Sequence, residues 1–161
     1  MFITPQPKKY TRNEGELRFT DKIVITLPQG FEDIVPTMRE VFSNYTAGIT
    51  DIVFAYSKKL TGKACISNSE ICEEGEEKTE YEYELHIKEN GATAVFNDRL
   101  GLIHALVSFL QLLKIDDGFI RVPCYSVWDR PDMNFRAIHL CVFKNTALTF
   151  LKKVFGLCGM M

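Results

Sequence analysis

The chain has 161 residues, 46% of them hydrophobic and 25% charged, with a formal net charge of −2. That is enough for one domain with a proper core and too little for two full ones, and it excludes disorder and membrane insertion as descriptions of the whole. So small a charge gathers neither nucleic acid nor an anionic membrane, and no partner of either kind is expected.

Taken in chain order, residues 1–15 carry Pro5, Pro7, Lys8, Lys9, Arg12 and Asn13 and read as an extended lead-in. No apolar signal segment stands there. The five cysteines, Cys65, Cys72, Cys124, Cys141 and Cys158, are odd in number and scattered, which favours free thiols over a disulfide framework. Both features make the cytoplasm the expected location. Residues 23–27 (Ile-Val-Ile-Thr-Leu) predict a first strand closed by Pro28 and Gly30. Phe31, Ile34, Val35, Met38, Val41 and Phe42 recur at helical spacing, with Pro36 early enough to be tolerated. Residues 51–56 predict a second strand and 64–66 a short third.

Between residues 70 and 80 stand Glu70, Glu73, Glu74, Glu76, Glu77 and Glu80, without the alternation a calcium loop needs. A solvated surface loop is expected. Tyr81, Tyr83, Leu85 and Ile87 then alternate with Glu82, Glu84, His86 and Lys88, and Asn90-Gly91 supplies a hairpin turn into a partner strand over 92–96. Asn97 or Asp98 caps a helix over 98–114, whose apolar residues cover more than one face. Such a helix is expected to be buried on two sides. His104 within it reads as a packing or hydrogen-bonding histidine. Asp116-Asp117-Gly118 turns the chain into an extended run from Phe119 towards Arg136. The pattern predicts an α+β layer, helices packed on a largely antiparallel sheet.

Two blocks resemble glycoside hydrolase family 20, the β-N-acetylhexosaminidases, in their non-catalytic N-terminal domain. The helix of that domain reads G-x-F-x-G-L-x-T-L-x-Q-L. Gly101, Ile103, Ala105, Leu106, Ser108, Phe109, Gln111 and Leu112 stand at those positions. The family continues I-x-D-x-P-x-F-x-x-R-G into the first strand of a (β/α)8 barrel, where this chain has Val127, Asp129, Pro131, Met133, Arg136 and Ala137. The resemblance implies an accessory domain over 16–133, followed over 134–161 by the first strand and helix of an incomplete barrel. It implies as partners the catalytic barrel and a glycan substrate, and self-association through any apolar surface the barrel would cover.

Family members use the substrate's acetamido oxygen as nucleophile, supported by an Asp-Glu pair on the fourth barrel strand. A chain of this extent holds no catalytic residue of that kind, and no cofactor or metal is expected. One family position falls inside it: Lys144 stands where an Arg grips sugar hydroxyls, and Cys141 where an Asp is usual. Lys keeps the charge and loses the two-pronged donor; on its own terms Lys144 reads as a surface lysine at a strand end. Asp129 and Arg136 flank Pro131 and read as structural residues between domains. His139 with Cys141 makes at most the start of a metal site or a nucleophile pair. Two other readings stand beside the accessory domain: a stand-alone carbohydrate- or protein-interaction module, and the accessory domain of another barrel glycosidase.

Overall fold

The computed structural model describes residues 3–69 and 72–132. The chain divides into a unit of residues 1–130 and a second of residues 131–161, of which only Pro131 and Asp132 are described. The expected barrel strand and helix, with Arg136 and Lys144, lie outside the described residues.

The first unit is α+β and rich in sheet. Its strands are β1 (Lys9–Phe19), β2 (Lys22–Pro28), β3 (Asp51–Ser57), β4 (Leu60–Thr61), β5 (Lys63–Ser67), β6 (Gly75–Glu76), β7 (Tyr83–Lys88), β8 (Gly91–Phe96), β9 (Lys114–Asp116) and β10 (Phe119–Asp129). The helices are α1 (Val35–Tyr45), entered through a 3-10 turn at Glu32–Ile34, and α2 (Arg99–Leu112). The main sheet runs β1-β10-β7-β8-β5-β2-β3, with β9 paired to β10. Every pairing in it is antiparallel except β2 with β3, which α1 joins as a crossover.

Both helices pack on one face. Ile23, Ile25, Leu27, Tyr83, Leu85, Ile87, Ala94 and Phe96 point into it from alternate strand positions, and Phe42 of α1 stacks on Phe109 of α2 with ring centroids 6.5 Å apart. The alternation expected of β7 is what puts Tyr83, Leu85 and Ile87 inside. As expected, Asp98 caps α2, its carboxylate accepting the Gly101 amide at 2.8 Å. Leu102, Ala105, Leu106, Phe109 and Leu110 are wholly or almost wholly buried, and Val107 and Ser108 nearly so. That is the burial on more than one side anticipated for this helix.

Three expectations are corrected. Residues 9–15 are not a lead-in to the sheet but half of its edge strand β1, paired with β10 along its length and bulged between Arg12 and Glu16. Gly15 allows that bulge: its φ is +92°, and a Cβ there would collide with the carboxyl of Glu89. Cys65 and Cys72 form a disulfide across 5.8 Å between Cα atoms, so these two thiols are not free; β5 and the returning loop bring them within bridging distance. The acidic stretch is more than a wet loop. Gly75–Glu76 pairs with Leu60–Thr61, Glu77 meets the buried Lys63 ammonium at 3.1 Å, and Asn97 donates to the carbonyls of Thr79 and Tyr81. Glu73, Glu74, Glu76, Glu77 and Glu80 still face solvent, which is why their density does not prevent folding.

Candidate functional site

The chain enters β1 and leaves β10 at the same place, because Lys9 pairs with Trp128. Asp129 sits at this junction. Its carboxylate accepts the backbone N–H of Lys8 at 3.1 Å and of Arg130 at 2.9 Å, and its carbonyl accepts the Glu82 N–H at 2.9 Å. Burial pushes its pKa above the ordinary carboxylate value, partly opposed by the two N–H groups and reinforced by Glu82.

The Glu82 carboxylate lies 3.1 Å from Nδ1 of His104 on α2, and Tyr83 shares a 2.6 Å hydrogen bond with Ser108 on the same helix. Burial drives the Tyr83 hydroxyl far above its usual range, so it stays protonated. Thr4 and Gln111 exchange two bonds: the Thr4 amide donates to Oε1 at 2.6 Å, and Nε2 donates to the Thr4 carbonyl at 3.2 Å. Each polar group here is taken up by a neighbour within the domain. The cluster fixes the segment before β1, the end of β10 and α2 to one another.

His104 is thus the hydrogen-bonding histidine that its apolar surroundings implied. Asp129 is held within the first unit, while Arg136, expected beside it between the domains, and Lys144, the expected sugar contact, lie outside the described residues. No group of three or more metal-ligating side chains occurs among the described residues, and no helix among them is long and apolar enough to cross a membrane.

The other sheet face carries groups that single-residue reading passed over. Lys9 and Thr11 of β1, Ser126 and Trp128 of β10, and Glu84 and His86 of β7 stand in register on it. Trp128 is part of β10 and half-buried. Lys9 Nζ lies 4.7 Å over its ring, and His86 meets it edge-on at 5.4 Å. His86 in turn lies 3.1 Å from a Glu84 oxygen. Further along the same strands, a cavity of about 450 Å3 opens between the β1 bulge and the β7–β8 turn, lined by Asn13, Glu14, Ile87, Lys88, Glu89, Asn90 and Cys124. Burial, then the negative charges of Glu89 and Glu16, push the Cys124 thiol up, so it stays protonated and unreactive. Period-two alternation in 124–128 was the available signal for this row.

Residues 1–130 match the model of glycosyl hydrolase family 20, domain 2. Among solved structures, the exo-β-N-acetylglucosaminidase of Vibrio harveyi in complex with N-acetylglucosamine is similar at a TM-score of 0.58 and 17% identity, over 83% of this chain and 20% of that one. The Flavobacterium johnsoniae chitobiase gives 0.58 and 17%, over 86% and 22%. A family 20 β-N-acetylglucosaminidase gives 0.52 and 21%, over 82% and 23%. At these identities the likeness is one of fold, and the chain spans about a fifth of the length of these enzymes. None of the curated proteins compared with the chain matches it. On the family match, the chain belongs to glycosyl hydrolase family 20 and carries its domain 2, an accessory domain distinct from the catalytic barrel.

Proposed function

We propose that this chain serves as the accessory domain of a hydrolase that removes terminal N-acetylhexosamine or a related sugar by the substrate-assisted retaining route, and that it does no chemistry itself. The observation that carries this reading is the family match over residues 1–130. It is supported by a junction whose carboxylates, histidine and tyrosine are spent on holding the domain together.

In this reading residues 134–161 begin the barrel, Asp129 and Arg136 steady the passage into it, and Lys144 donates to sugar hydroxyls. Sequencing the gene beyond the Met161 codon tests it. An open frame encoding a barrel with an adjacent Asp-Glu pair, whose product hydrolyses an aryl N-acetylglucosaminide, is the expected result. A stop codon there, or a barrel product inert on every N-acetylhexosaminide, overturns it. In an active product, Lys144→Ala is expected to raise KM roughly tenfold, the size of one lost charged hydrogen bond.

A further inference from the structure

The row of side chains along β10 on the face away from the helices has a shape and a charge balance of its own. One end is the indole of Trp128, the only tryptophan of the chain. The other is the cavity of about 450 Å3 between the β1 bulge and the β7–β8 turn, within the size range of small-ligand sites. Trp128 and Cys124, which lines the cavity, are four positions apart on the strand, a run of about 13 Å. Ser126 lies between them, with Asn13 donating to its hydroxyl at 3.2 Å.

The charges along this path come close to balance, with one carboxylate in excess. Lys9 and Lys88 stand against Glu14 and Glu89, and His86 lies beside Glu84. Such a row mixes donors and acceptors and carries at most a small negative excess, which does not favour an anion. It suits an uncharged ligand rich in hydroxyls, with an apolar ring face for the indole. The Lys9 contact over the ring is an exposed and hence weak one, so the ammonium can turn from the indole to a hydroxyl of the ligand. The protonated Cys124 adds a neutral wall and no covalent chemistry.

The geometry points to a neutral oligosaccharide bound along β10, one sugar against Trp128 and another in the cavity beside Asn13 and Lys88. The site would hold a glycan on the accessory domain itself, apart from any catalytic centre. The identity of the sugar, N-acetylglucosamine, rests on the function proposed above; the site rests on the face just described.

The single tryptophan supplies the readout. Residues 1–161 are titrated with triacetylchitotriose, following both tryptophan fluorescence and heat by calorimetry. A saturable change in both signals is expected, with affinity roughly tenfold weaker in Asn13→Ala and in Lys88→Ala, each checked for fold by circular dichroism. No saturation in either signal up to about 10 mM overturns the site, as does binding that both variants leave unchanged. Hydrolysis of N-acetylhexosaminides by the longer gene product, with no binding here, removes this site and leaves the proposed function standing. Binding here, with no barrel encoded downstream, does the reverse.

Discussion

Gly101 lies where α2 crosses the start of β7, and its missing side chain sets how near the two come. A Cβ at this position would run into the backbone carbonyl of Glu82, which cannot swing aside as a side chain can. Gly101→Ala is therefore expected to cost at least about 2–3 kcal/mol in urea denaturation, the upper part of the usual overpacking range. Asp129 makes a different prediction. Its pKa is raised by burial, so the folded chain holds that proton more tightly than the unfolded one. The associated stability is present at low pH and falls as pH rises through the interval between the unfolded and folded values. Asn keeps the acceptor oxygen and carries no charge. The stability of Asp129→Asn relative to wild type is expected to improve as pH is raised from about 3.5 to 7, and a difference flat across that range would refute the assignment.

At the scale of elements, α2 holds the interior together. Phe109 is fully buried, stacked on Phe42 and edge-on to Phe19 at 6.2 Å. Phe109→Ala is expected to cost about 3–5 kcal/mol, a large part of the stability of a domain this size, and to lower the urea midpoint accordingly. The Cys65–Cys72 bridge closes a short loop with a sequence separation of 7. Cys72→Ser is expected to cost about 2 kcal/mol, and a digest run without reductant should yield the linked peptide. Elements with one wet and one dry face, such as β7 and β8, were legible because alternation is written into them. So was α2, by its cap and its excess of apolar residues. β1 was not: it is an edge strand with exposed residues from Lys9 to Gly15, so nothing in its composition marks it as strand. The bridge was equally hidden, since its two cysteines are ordinary in spacing and one sits in an acidic stretch. Of the candidate site, His104 was visible as a polar residue in apolar company, and Asp129 only through the family motif around Pro131. The row on the outer face needed the register of three strands that are far apart in sequence.

For the domain as a whole, the antiparallel pairing of β1 with β10 decides how it meets the rest of any protein that contains it. Lys9 and Trp128 are partners across a ladder, so the start of β1 and the end of β10 lie about 5 Å apart. The same arrangement fixes its response to tension. Force applied through the two ends loads the hydrogen bonds between β1 and β10 one at a time, like opening a zip, rather than all together in shear. In an optical trap with handles at residues 8 and 130, β1 should peel away at low force before α2 and the remaining strands give way.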